Sequence, residues 1–241
     1  MQCNSMHSCN HHGCGIGHTS ENHRSCVSSV SIFNHLEDYQ MDEIMKAIKS
    51  VSYKKGEIIY SAGDKSDSLY IVRRGRIRIY RLSESGKEQI VRILASGDFT
   101  GELALFRESI HESFAETMED TDVCTITRAD LQGFLLKYPS ISIKILNEFS
   151  KRLDAAEKQA TSFVTEKVDK RVAMFLLECM DNSSKSMEFE LPMSKKDLSS
   201  YLGTTPETIS RKLTEFEDAG YIRQIANRRI KVLDLEGLQL I

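Results

Sequence analysis

No stretch of this 241-residue chain holds the roughly 18 consecutive apolar residues that a membrane span needs. Its first residues lack the apolar core of a secretion signal, so a cytoplasmic location is expected. Neither sign of charge is in excess: 32 Lys and Arg stand against 35 Asp and Glu, a net charge of −3. Bulk charge therefore predicts neither nucleic acid nor a membrane as partner, and any basic surface must come from local patterning. No nucleophile–base spacing of a catalytic site occurs, so the chain reads as a non-enzyme. What is present is 40% hydrophobic and 28% charged residues, the composition of a globular protein with a real core.

Composition shifts sharply near residue 27. Four of the six cysteines (Cys3, Cys9, Cys14, Cys26) and five of the seven histidines fall in residues 1–26, with Ile16 the one large aliphatic besides methionine. Such a segment buries too little apolar surface to offset its ordering entropy, unless something bound orders it. In a reducing compartment, cysteines at this density read as metal ligands or redox thiols. Residues 1–28 are therefore expected to form a Cys/His-rich metal or redox arm.

Residues 29–138 are expected to form a sensor domain. Helical spacing runs from Ile32 to Ile48. Alternation then predicts strands over Tyr53–Tyr60, Ser68–Val72, Arg76–Leu82, Glu88–Leu94, Ser113–Met118 and Asp122–Thr127. Many short strands at this spacing predict a β-roll of jelly-roll type. Thr127 is the expected N-cap of a following helix. Residues 139–165 then read as one long helix, with Pro139 in its first turn. Leu146, Leu153 and Ala160 take heptad position a, and Phe149, Ala156 and Phe163 position d, a seam suited to self-pairing as a homodimer.

Residues 166–241 read as a separate unit, in which Cys179 sits on an apolar helix face and is expected in the core. Ser194–Gly203 predicts a helix, Thr204-Thr205 a turn, and Pro206 the first position of a second helix capped by Thr205. A hairpin around Ala226-Asn227-Arg228 completes the order of a winged helix-turn-helix. Leu198, Leu202, Ile209, Leu213 and Phe216 supply the packing. That spacing leaves Glu207, Ser210 and Arg211 off the buried face at the start of the second helix. Arg pairs with guanine and Glu accepts from cytosine in a major groove. Lys195, Lys196, Lys212, Arg228 and Arg229 are the expected phosphate contacts. The unit carries 12 Lys/Arg and 13 Asp/Glu, so its clustering and not its net charge points to double-stranded DNA.

The runs Gly97-Asp98-Phe99, Gly101-Glu102-Leu103-Ala104-Leu105-Phe106 and Asp197 through Arg211 resemble the CRP/FNR family of bacterial transcription regulators. The resemblance implies an α+β fold: a cyclic-nucleotide-binding-like β-roll, a long dimerisation helix and a C-terminal winged helix-turn-helix. It also implies a palindromic operator and RNA polymerase as a partner. Glu207, Ser210 and Arg211 resemble the FNR branch, which implies TTGAT-like half-sites. Relatives of the same branch in lactic acid bacteria are similar too.

In the cyclic-nucleotide branch the residue at Glu102 holds the ribose and an Arg ten positions on neutralises the phosphate. Here that position is Glu112, a carboxylate that would repel the ligand. A cyclic nucleotide or other small ligand is thus the less favoured signal, and Glu102 reads as a packing or turn residue. The FNR branch instead implies that Cys124 joins three N-terminal cysteines on a [4Fe–4S] cluster. The spacing here departs from the FNR pattern, and Cys9, Cys14, Cys26 and Cys124 form the best set. Zinc held among Cys3, His7, Cys9, Cys14, Cys26 and Cys124 is an alternative. A thiol–disulfide switch with no cofactor is another. A metal-buffering protein is a further possibility, which the helix-turn-helix argues against.

Overall fold

The computed structural model describes residues 28, 30–102, 109–182, 186–226 and 228–241. The predicted set Cys3, His7, Cys9, Cys14 and Cys26 lies outside them. The fold is α+β: a β-sandwich, a long helix and a winged helix-turn-helix.

The chain enters through helix α1 (Asp38–Ala47). Ten antiparallel strands follow: β1 (Lys49–Tyr53), β2 (Ile58–Tyr60), β3 (Lys65–Ser66), β4 (Ser68–Arg74), β5 (Ile77–Leu82), β6 (Glu88–Leu94), β7 (Phe99–Thr100), β8 (Ser109–Ile110), β9 (Phe114–Thr117) and β10 (Thr121–Thr127). Two four-stranded sheets, ordered β1-β10-β4-β7 and β2-β9-β5-β6, pack on each other. Val72, Ile77, Ile79, Leu94, Ala115 and Val123 fill the space between them. The outer face of the first sheet carries Leu69, Ile71, Cys124 and Ile126 against the helices.

Alternation located most strands, but three details differ. Tyr53–Tyr60 is not one strand. Gly56 adopts φ +83° and the Lys54 amide donates to the Glu57 carboxylate at 2.6 Å, so the chain turns and changes sheet there. The helical spacing that begins at Ile32 yields a helix only from Asp38, the residues before it forming turns. Tyr80 is buried although Arg76 and Arg78 share its parity, because the pairing of β5 with β6 slips between Ile79 and Tyr80. Its ring then stacks on Phe114.

Thr127 caps α2 (Arg128–Lys137), accepting from the Asp130 amide at 3.2 Å. Helix α3 (Ser140–Thr165) follows Pro139 and runs 26 residues. Ile141 and Ile145 on one side of it are buried in the layer that also holds Cys124, and Phe149 packs against the same layer. Leu146 and Leu153 on another side are 63% and 61% exposed.

Helix α4 (Val168–Asn182), β11 (Glu188–Glu190), α5 (Lys195–Tyr201), α6 (Pro206–Asp218), β12 (Ile222–Gln224), β13 (Arg229–Val232) and α7 (Leu235–Gln239) complete the chain. The sheet order β11-β13-β12 makes the wing. Leu198, Leu202, Ile209, Leu213 and Phe216 are all buried in one core. Cys179 packs against that core, and burial pushes its thiol up to about 12.

Candidate nucleic-acid interface and buried cysteine

The helix-turn-helix is fixed by its caps. The Ser194 hydroxyl accepts from the Asp197 amide at 3.1 Å and donates to its carboxylate at 2.6 Å. Thr205 accepts from the Thr208 amide at 3.3 Å, with Pro206 at the first helical position. Between the helices Gly203 takes φ +64°, and a Cβ there would meet the Phe163 ring at 3.5 Å. The left-handed turn is open to glycine at little cost, and it seats the motif against the end of α3.

Glu207, Ser210 and Arg211 are exposed on α6. The Glu207 carboxyl is held below its ordinary pKa by its own backbone amide and by the Thr205 hydroxyl, so it is an anion and an acceptor. The Arg211 side chain is 67% exposed and reaches Glu215 only at 3.6 Å. An exposed, loosely paired Arg is suited to a base edge.

The predicted phosphate contacts differ in how they are held. Lys196 is exposed. The Lys195 ammonium donates to Gln224 at 3.0 Å and so ties α5 to the wing. Lys212 is half-buried between Glu215 at 2.7 Å and Asp169 at 3.9 Å, and must leave these partners to meet a phosphate. Arg228 pairs with Glu190, and Arg229 approaches Glu188 at 3.6 Å.

Cys124 lies in the middle of β10, opposite Ser50 of β1 and Ile71 of β4. It is fully buried in the cluster that includes Leu131, Ile141 and Ile145. Its sulfur lies 3.8 Å from the Ser50 hydroxyl. Cys124 is disulfide-bonded, whereas Cys179 is free. No group of three or more His, Cys, Asp or Glu among the described residues is arranged to hold a metal. The described residues thus offer one fully buried cysteine, Cys124, and no closed ligand set for a cluster or zinc among them.

A small cavity of the β-roll measures about 80 Å³, and its described lining includes Tyr60, Arg81, Arg92, Thr100, Glu102 and His111. Glu102 is not a plain packing residue: its carboxylate meets Arg92 of β6 at 3.0 Å and Arg152 of α3 at 2.8 Å. Arg152 also donates to the Phe99 carbonyl at 2.9 Å and lies over the Phe99 ring. Glu112 pairs with Arg81 at 2.6 Å. The Arg152 contact was invisible in the sequence because its two ends lie 50 residues apart, one just past β7 and the other on a helix.

The cyclic nucleotide-binding domain family matches residues 50–138, and the Crp-like helix-turn-helix domain family matches residues 170–241. A probable transcriptional regulator, flp, of Lacticaseibacillus casei is 31% identical over 215 residues, covering 89% of this chain and 97% of that protein. An anaerobic regulatory protein of Haemophilus influenzae is 32% identical over 230 residues, covering 94% and 88%. The solved structure of FixK2 from Bradyrhizobium japonicum superposes with a TM-score of 0.72 at 28% identity, covering 80% of this chain and 96% of that one.

Proposed function

Since the chain belongs to the CRP/FNR family of DNA-binding transcription regulators, which are not enzymes, we propose that it acts as a homodimer on a palindromic operator and changes its DNA affinity with the redox state of Cys124. Residues 29–138 serve as sensor, 139–165 as dimerisation helix and 166–241 as DNA-binding unit, with 1–28 as the arm that brings the partner sulfur. Glu207, Ser210 and Arg211 read bases, and TTGAT-like half-sites are the first sequences to try. Lys195, Lys196, Lys212, Arg228 and Arg229 hold phosphates. RNA polymerase is the expected partner of the bound dimer. Its work on DNA assigns it to the cytoplasm, and no helix of the described residues is long and apolar enough to cross a membrane.

The observation that carries this reading is the position of the Cys124 sulfur. It is disulfide-bonded and sits in the layer that also holds Ile141 and Ile145 of α3. Oxidation joins two thiols and passes two electrons and two protons to an oxidant; reduction reverses this. Either change alters volume and cross-linking directly beneath the long helix, in a close-packed layer with little room to absorb it. A shift of α3 moves the seam on its other side. It also moves Phe163, which abuts Gly203 in the helix-turn-helix. Two half-sites bind together only when the reading helices keep their spacing.

A second reading, in which Cys9, Cys14, Cys26 and Cys124 hold a [4Fe–4S] cluster, is favoured by the likeness to a relative named as an anaerobic regulatory protein. Zinc on a subset of Cys3, His7, Cys9, Cys14, Cys26 and Cys124 is the third. The three differ in what the sulfurs hold, so one experiment separates them. The protein is purified without oxygen, and iron, sulfide, zinc and free thiols are counted per chain before and after oxidation. The disulfide reading expects no stoichiometric metal and the loss of two thiols. It also expects operator affinity that changes on oxidation and stops changing in Cys124→Ser. Iron and sulfide near four per chain would replace it with the cluster, and about one zinc with the zinc site. A Cys124→Ser chain that still responds normally would remove Cys124 from the mechanism.

A further inference from the structure

Between α3, α4 and the first helix of the helix-turn-helix lies an open groove of about 430 Å³, within the roughly 300–1,000 Å³ that small-molecule sites span. Neither Cys124 nor the base-reading residues Glu207, Ser210 and Arg211 border it. Phe163, Met174, Phe175, Tyr201 and Leu202 give it an apolar lining. The Phe175 and Tyr201 rings are tilted against each other with centroids 5.8 Å apart. Gln159 of α3 donates to the Tyr201 carbonyl at 3.4 Å and ties two of the walls together. Aromatic rings and a methionine sulfur are surfaces on which a further aromatic ring packs well.

One charged group of this lining is incompletely bonded. Arg171 of α4 donates from Nη1 to the Phe163 carbonyl at 3.3 Å, and its guanidinium lies 5.4 Å from the centre of the Phe163 ring. Its Nε is buried, and no group among the described residues accepts from it. A buried donor without an acceptor is unfavourable, and a carboxylate matches the guanidinium fork best. The other cation of the lining, Lys158, is already paired with Asp154 at 2.7 Å, and Glu178 is exposed. The missing chemistry is therefore one carboxylate on an aromatic body. The groove also stays clear of the helix seam. In the heptad that places Leu153 and Ala160 at a, its lining residues Asp154, Ala155, Lys158 and Ser162 take b, c, f and c, on the side of α3 away from a and d.

We propose that this groove binds an aromatic monocarboxylate, with its ring against Met174, Phe175 and Tyr201 and its carboxylate on Arg171. Such an occupant touches α3, α4 and α5 at once. It bears on how the DNA-binding unit sits on the long helix, as an input separate from Cys124.

The test uses the full-length chain and naphthoate, whose fluorescence is read directly because the chain has no Trp. Titration should give saturable binding at one site per chain. Arg171→Gln removes the guanidinium, and Ala155→Phe, at an exposed position of α3, fills the groove. Each should weaken naphthoate binding roughly tenfold or more, with melting close to that of wild type. The neutral naphthamide should bind wild type roughly tenfold more weakly than naphthoate, and Arg171→Gln should erase that preference. The naphthamide comparison on wild type needs no variant, so it decides the carboxylate even where Arg171→Gln folds poorly. A wild-type chain with no saturable naphthoate binding would overturn the site. Binding that Ala155→Phe leaves intact would overturn it too, since naphthoate would then sit elsewhere. Naphthamide bound as tightly as naphthoate would overturn the role of Arg171 and with it the ligand class. None of these readouts involves DNA, so their failure leaves the operator-binding reading untouched.

Discussion

His111 lies flat on Tyr60, ring centroids 3.7 Å apart, and is 7% exposed. Burial pushes its pKa below the ordinary value, against the opposing pull of Asp64, Asp67 and Glu102. The unfolded chain takes up this proton near pH 6.5 and the folded chain only at lower pH. Between the two values the unfolded state binds more protons, so stability rises with pH there. The contribution of His111 is therefore complete above about pH 6.5 and is lost as pH falls toward the folded value. Denaturant titrations should give a lower midpoint at about pH 5.5 than at about pH 7.5, and His111→Phe should narrow that difference. An undiminished difference in His111→Phe would assign the acid sensitivity to other groups. The sequence could not single out this residue. A lone His beside a strand carries no periodic signal, and its burial comes from Tyr60 and Tyr70, which the topology brings around it. Cap residues behave oppositely: Thr127, Ser194 and Thr205 act within three residues of themselves, so local sequence determined them.

Helix α3 shows what periodicity reads well. Its heptad pattern is visible because the buried face and the seam repeat along a single helix. The structure separates the two: Ile141 and Ile145 pack on the sensor, while Leu146, Leu153, Ala156 and Ala160 are left exposed. Phe149 was read as a seam residue and is partly buried against the sensor core, because the first sheet reaches that far along the helix. The seam carries a direct prediction. Leu146→Glu with Leu153→Glu puts like charges on both copies of the same stripe. Sedimentation should show wild type as a dimer and the double variant as a monomer. Since linking two half-site contacts raises affinity by roughly 10²–10⁴-fold, operator binding should fall by at least tenfold. A double variant that stays dimeric would move the interface off this stripe. Short elements gave no such signal. Strands β3, β7 and β8 have two residues each, too few to alternate, and they exist because neighbouring strands bring partners to them.

At the scale of the whole molecule the order of the units was legible, since each carries its own pattern, while the contacts between units were not. Ser200 reads as an ordinary helix serine, and Arg78 as a solvated strand residue, until the two units meet. Net charge was also a poor guide, and this bears on how the molecule finds DNA. A chain of net charge −3 is repelled by a polyanion at long range, so attraction must come from few side chains at short range. Lys196, Arg228 and Arg229 are all exposed. If each subunit neutralises three to five phosphates, a dimer neutralises roughly six to ten, and log affinity should fall against log salt with a slope of about −5 to −9. Replacing Lys196 by Ala removes one contact per subunit and should flatten the slope by about 2, with base preference unchanged. Arg211→Ala should do the reverse, relaxing base preference with a smaller change in slope. Fluorescence anisotropy across a salt series on matched and mismatched duplexes distinguishes the two. A Lys196→Ala chain with the wild-type slope would take α5 off the backbone and reassign the phosphate contacts to the wing.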